Sequence, residues 1–192
     1  MAAPYLSTED YLRTPETVLP TEVIYGALRT ADAPTVRHQQ ALGAFYLALA
    51  PYVRERRLGR VLVAPLDVIF DWDRTLILQP DLIFMSHARW SASAEATADK
   101  HVRGVRIIGA PDMVLEVLSP NPRIGTLDER VTWFAQYGVR EIWLFHQLEE
   151  RFEVLRAQDG EIVNRLSCGY TQPIQSGVFP QFRMALGDIL RD

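Results

Sequence analysis

Residues 113–146 read MVLEVLSPNPRIGTLDERVTWFAQYGVREIWLFH, and this stretch decides the fold. Met113 to Leu118 is apolar and β-branched except at Glu116, and the Ser119-Pro120-Asn121-Pro122 turn ends it. Thr126 to Tyr137 then carries helical spacing, with Gly138 as its C-terminal stop. Glu141 to His146 is a second strand immediately after. A strand, a helix of this length and a strand predict a parallel pair joined by a crossover helix.

Working outward, Ser7 to Arg13 predicts a short helix with Ser7 as N-cap and Asp10 at the third position. Thr21 to Thr30 reads as a strand carrying a turn or bulge near Gly26. Val36 to Arg57 reads as a long helix on Leu42, Phe45, Leu49 and Val53, with Gly59 as its stop. Arg60 to Phe70, bent at Pro65, and Thr75 to Met85 predict antiparallel partners across Asp71-Trp72-Asp73-Arg74. Ser86 to Gly104 is a polar excursion or short helix. Arg151 to Arg156 and Glu161 to Leu166 form a hairpin across Asp159-Gly160, and Leu186 to Leu190 closes the chain as a short helix. The expected class is α/β (α+β): a mixed central sheet flanked by helices with an appended hairpin, in a single domain over residues 1–192.

Composition narrows the function. With 48% hydrophobic and 23% charged residues, the chain is ordinary for a globular protein. No apolar run is long enough to span a bilayer, and Met1 to Arg13 lacks the pattern of a signal peptide. Cys168 is the only cysteine, so no intramolecular disulfide forms, and a cytoplasmic setting is expected. The net charge of −4 gives no global attraction to nucleic acid, so such binding needs a local basic patch. Arg54, Arg56, Arg57 and Arg60 are one candidate, although the solvated end of an amphipathic helix explains them better.

Two acids break apolar strands. Asp81 interrupts Ile77-Leu78-Gln79-Pro80-Asp81-Leu82-Ile83-Phe84, and Glu116 interrupts the run already quoted. Buried carboxylates are costly unless paired, hydrogen-bonded or bound to metal. Asp81 after Pro80 also suits a turn, and Glu116 also suits a buried bridge to Arg130. Histidine and Cys168 spacing does not suit zinc, and His38 reads as a cap or packing residue.

The order of elements and these acids resemble the PD-(D/E)XK nuclease superfamily, and more closely its Uma-type family of restriction endonuclease-like proteins. The matching stretches are Thr21 to Gly26, His38-Gln39, Ala64 to Val68, Gln79 to Phe84, Leu115 to Pro120 and Tyr137 to Leu144. The resemblance implies a metal-dependent endonuclease acting on DNA, with a homodimer as its working form. It implies that Asp81, Glu116 and the backbone carbonyl of Val117 bind Mg²⁺ or Mn²⁺, and that Glu22 binds a second metal or orients water. It also exposes a departure. Lys100 is the only lysine, and Arg130 falls where the family carries its active-site lysine. Thr126 and His146 fall where it carries aspartates. Arginine keeps the charge but cannot take a proton from water. The alternative is therefore a degenerate nuclease fold kept as a binding or interaction module.

Overall fold

The computed structural model describes residues 5–15, 17, 19–99, 106–118 and 126–191. Lys100 and the Ser119–Pro122 turn lie outside them. Helix α1 (Thr8–Arg13) starts as expected, with the Ser7 hydroxyl accepting from the Asp10 N–H at 3.1 Å. Residues 21–30 are a hairpin rather than one strand: β1 (Thr21–Ile24) and β2 (Ala27–Thr30). Tyr25 and Gly26 both have positive φ (48° and 80°), the geometry that reverses a two-residue hairpin.

Helix α2 (Val36–Glu55) buries Ala41, Leu42, Phe45, Leu49 and Val53 on one stripe. Its left-handed exit is Arg57 (φ 51°), not Gly59. Gly59 instead opens β3 (Gly59–Val63), where an added Cβ would collide with the Met85 carbonyl. The apolar residues 60–70 belong to β3 and β4 (Val68–Asp71), in different sheets. Residues 75–85 divide likewise into β5 (Leu76–Leu78) and β6 (Leu82–Ser86), with Gln79-Pro80-Asp81 between them. Proline supplies no N–H, so the ladder breaks there at little cost. The polar excursion is largely helix α3 (His87–Asp99), followed by the short strand β7 (Ile107–Ile108).

The crossover unit is present. Strand β8 (Met113–Leu118) and β9 (Glu141–His146) are parallel, joined through α4 (Leu127–Gln136). A capping box of Thr126 and Glu129 opens α4, and Gly138 (φ 94°) follows its end. Strands β10 (Arg151–Gln158) and β11 (Glu161–Cys168) form the expected hairpin, and α5 (Leu186–Ile189) ends the fold.

The six-stranded sheet runs β11-β10-β9-β8-β6-β3 and the five-stranded sheet β2-β1-β5-β4-β7. Residue alternation assigns the layers. Met113, Leu115 and Val117 of β8 pack with α2 and with Phe179, Phe182 and Ile189 near the C-terminus. Val114 faces the other way, with Ile142, Val131 and Phe134, onto Val68, Phe70, Leu76 and Leu78 of the smaller sheet. The outer face of that sheet, Val23, Ile69 and Ile77, is covered by Leu6, Tyr11 and Leu12 around α1. The six-stranded sheet is therefore covered on both faces, which explains why its central strands read as near-continuous apolar runs. No helix among the described residues is long and apolar enough to cross a membrane.

Candidate functional site

Glu116 shares a face of β8 with Val114, so its carboxylate points into the layer between the two sheets and α4. From the opposite sheet, Glu22 on β1 enters the same layer. Arg130, one turn into α4, lies between them. Its Nη1 donates to Glu22 Oε2 at 2.7 Å and its Nη2 to Glu116 Oε1 at 2.7 Å. All three are at least 95% buried (4%, 1% and 3% exposed). The bridge between Glu116 and Arg130 weighed from the sequence thus exists, and Glu22 extends it into a triad. Burial alone would lower the pKa of Arg130, but the charges of Glu116 and Glu22 outweigh it and raise the value. The guanidinium is fixed in its charged form. Its Nε–H has no hydrogen-bond partner among the described residues, and its Cζ lies 5.5 Å from the Phe134 ring centre.

Asp81 sits just before β6. The β6–β8 register pairs Leu82 with Leu115, and one further step sets Asp81 across from Glu116. Its backbone carbonyl accepts from Ala64 N–H at 2.9 Å. Its Oδ2 accepts from the Val117 N–H at 2.7 Å and faces His38 Nε2 at 3.2 Å. Asp81 is 6% exposed and His38 4% exposed, so this contact is shielded from water. Two like charges across one antiparallel pair repel, so such a pair is normally held by cations or donors around it.

Gln79 links the parts. Its N–H donates to Glu22 Oε1 at 2.7 Å, its side-chain oxygen accepts from Thr21 N–H at 3.3 Å, and its amide nitrogen donates to Asp67 Oδ1 at 2.8 Å. Asp67 also accepts from the Tyr11 hydroxyl at 3.1 Å and meets Arg106 Nε at 3.4 Å. Burial first, and the Asp67 carboxylate second, push the Tyr11 phenol above its ordinary range. Gln79-Pro80-Asp81 thus fixes one acid through a backbone N–H and presents another two residues later.

Of the residues expected from the sequence, Arg130 touches both Glu22 and Glu116, while Asp81 stands opposite Glu116 in the register with its Oδ2 on the Val117 N–H. Thr126 is the helix N-cap, and His146 pairs with Glu153 at 3.0 Å. His38 is not merely a cap or packing residue, because it contacts Asp81. Its partner lies 43 positions away, and no local pattern announces that contact. The only available hint was its place in the His38-Gln39 motif.

No group of three or more His, Cys, Asp or Glu side chains among the described residues is arranged to hold a metal ion. A magnesium-type ion needs fewer: one or two carboxylates, with water completing its shell. Asp81, just before β6, and Glu116, on β8, supply buried hard-oxygen donors at facing register positions, and donors of this kind fit such an ion.

Comparison with known proteins comes last. No curated protein matches the chain. Among solved structures it is similar to one described as "a putative nuclease belonging to DUF820" from Anabaena variabilis ATCC 29413. The TM-score is 0.77 at 18% identity, covering 96% of this chain and 97% of that one, which shows a shared fold. Residues 8–187 match the model of the Uma2 family, described as "Putative restriction endonuclease", and the chain belongs to that family.

Proposed function

We propose that the chain acts as a single metal-dependent nuclease domain that hydrolyses DNA phosphodiester bonds. The observation that carries this reading is the buried bridge of Glu22, Arg130 and Glu116 between the two sheets, with the buried Asp81 set across from Glu116 by the strand register. Buried carboxylates brought close together are apt for holding a cation. Family membership supports the same reading.

Asp81 and Glu116, with the Val117 carbonyl, would hold Mg²⁺ or Mn²⁺. The bound cation would stabilise charge on the phosphate and lower the pKa of a water molecule. Glu22, the third acid, would bind a second metal or orient that water. Arg130 replaces the family's lysine as a fixed positive charge. It holds Glu22 and Glu116 at a set separation and takes no proton, because a guanidinium remains charged at any working pH. A homodimer acting in the cytoplasm on DNA completes the reading.

One observation favours a second reading, a degenerate nuclease fold retained for binding. Both terminal nitrogens of Arg130 are engaged by carboxylates, which leaves its charge largely neutralised before any phosphate arrives. Incubation with plasmid and linear DNA in Mn²⁺ or Mg²⁺ separates the two. Under the first reading wild type cleaves and Asp81→Ala does not. Under the second, wild type is inert and Arg130→Lys restores cleavage or leaves only DNA binding. Sedimentation of the purified chain tests the homodimer.

A further inference from the structure

Gln79 follows β5 at the point where the ladder of the smaller sheet stops, because Pro80 comes next and brings no N–H. The registers set Val23 against Ile77 and Val68 against Leu78. Continued to the strand ends, they place Gln79 between Thr21 of β1 and Asp67, which precedes β4. Its side chain spans both neighbours. The Thr21 N–H can only donate and the Asp67 carboxylate only accepts, so the amide has one orientation: oxygen to Thr21 at 3.3 Å, nitrogen to Asp67 Oδ1 at 2.8 Å. Asp67 is itself braced, by the Tyr11 hydroxyl and by Arg106. With the side chain tied on both sides, the Gln79 backbone N–H is held on Glu22 Oε1 at 2.7 Å. The other Glu22 oxygen goes to Arg130 Nη1, and Arg130 Nη2 reaches Glu116. One chain of hydrogen bonds therefore runs from Asp67 through Gln79, Glu22 and Arg130 to Glu116, from the smaller sheet to the larger. Closing the end of a sheet requires no such link to a buried charge.

We infer that Gln79 is a positioning residue for cation binding: clamped between Thr21 and Asp67, it fixes Glu22 and, through Glu22 and Arg130, the carboxylate of Glu116. The inference rests on the metal-dependent reading above. It assigns Asp67 and Gln79 a part in the site that closing the sheet does not require. Hydrogen-bond partners behind a metal ligand typically contribute about 10–100-fold in affinity, and the lower end is expected of a residue acting through two others.

The test is Mn²⁺ binding by the intact chain, followed by the electron-paramagnetic signal of free Mn²⁺, with thermal unfolding in parallel. Gln79→Met keeps the length and the charge of the side chain and offers Asp67 no donor. Glu22→Gln cuts the chain of hydrogen bonds one step further on, because an amide cannot accept from both the Gln79 N–H and Arg130. Positioning predicts that Gln79→Met weakens Mn²⁺ binding about tenfold, that Glu22→Gln weakens it at least as much, and that Gln79→Met adds nothing once Glu22→Gln is present. A residue that merely closes the sheet shifts the unfolding temperature and leaves affinity alone. Should Gln79→Met not fold, Gln79→Asn decides, since its shorter amide cannot span Thr21 and Asp67 and is expected to weaken binding in the same way. Wild-type affinity in the folded Gln79 variant or in Glu22→Gln, or an equal loss from the Gln79 variant with and without Glu22→Gln, overturns the inference and leaves the metal site standing, provided Asp81→Ala abolishes binding. A wild-type chain that binds no Mn²⁺ overturns the metal reading and this inference with it.

Discussion

Glu116 and Glu141 are the same residue type on adjacent parallel strands, each 1% exposed, yet their surroundings differ in kind. Glu141 receives Trp143 Nε1 at 2.7 Å, the Ser176 hydroxyl, Gly177 N–H at 2.6 Å and Val178 N–H at 3.3 Å, with Arg156 Nε further off at 3.7 Å. Its charge is met mostly by neutral dipoles from its own strand and from the segment at residues 176–178. Its effect is to pin that segment, which brings Phe179 and Phe182 into the core beside Trp143. Glu116 faces a second acid across the sheet and shares a guanidinium with a third. A buried carboxylate satisfied by neutral donors is an architectural anchor. Buried carboxylates that share one guanidinium depend on that charge for their place in the core.

The comparison can be broken most forcefully at Arg130. Arg130→Ala leaves Glu22 and Glu116 without their shared cation, and we expect a loss of about 3–5 kcal/mol in urea unfolding. A loss under 1 kcal/mol would mean that the triad is not an electrostatic unit. Next come the paired neutralisations. Glu141→Gln should cost about 1–3 kcal/mol, because the amide cannot accept from all the donors aimed at it, while Mn²⁺ binding and cleavage persist. Glu116→Gln should differ in function: Mn²⁺ binding and cleavage vanish, while stability falls less than in Arg130→Ala because Arg130 keeps Glu22. Equal effects of the two substitutions on Mn²⁺ binding and cleavage would erase the distinction.

A smaller effect is expected of Arg130→Lys. One ammonium cannot span two carboxylates as a guanidinium fork does, so stability falls less than in Arg130→Ala, and cleavage is retained or raised. The smallest effect lies outside both clusters, at Glu153. Burial alone would raise its pKa, but hydrogen bonds from His146 and Arg151 prevail and hold it below the usual carboxylate range. A depressed folded-state pKa contributes stability above the unfolded value of 4.5, and that contribution is lost as pH falls through the folded-state value. Glu153→Gln should therefore lower stability slightly at neutral pH, where the contribution is fully present, leave stability at low pH nearly unchanged, and so flatten the acid limb. An acid limb identical to wild type would remove Glu153 from the account.

Much of this contrast was visible in the sequence, for definite reasons. Glu116 and Asp81 stood out because each breaks an apolar run, and Arg130 because the Tyr137-Gly138-Val139 landmark counts back to it. The crossover unit was legible because capping chemistry at Thr126 and a glycine at residue 138 bracket the helix. The division of residues 60–70 and 75–85 between two sheets was not legible, because both sheets bury both faces and the apolar run continues through the break. Gly59 was misread as a helix stop because Arg57 takes the left-handed conformation that glycine usually supplies. Contacts set by the tertiary fold were also hidden: His38 meets Asp81 across 43 positions, and Glu141 meets Ser176 across 35. Glu141 looked no different from any other acid at the start of a strand.

The most direct test of the central claim is cleavage of supercoiled plasmid in Mn²⁺ by wild type, Glu116→Gln and Glu141→Gln side by side, each first shown to be folded. The account predicts nicked and linear products from wild type and Glu141→Gln, and intact plasmid with Glu116→Gln. Cleavage by Glu116→Gln at the wild-type rate, or an inert wild type, would contradict it.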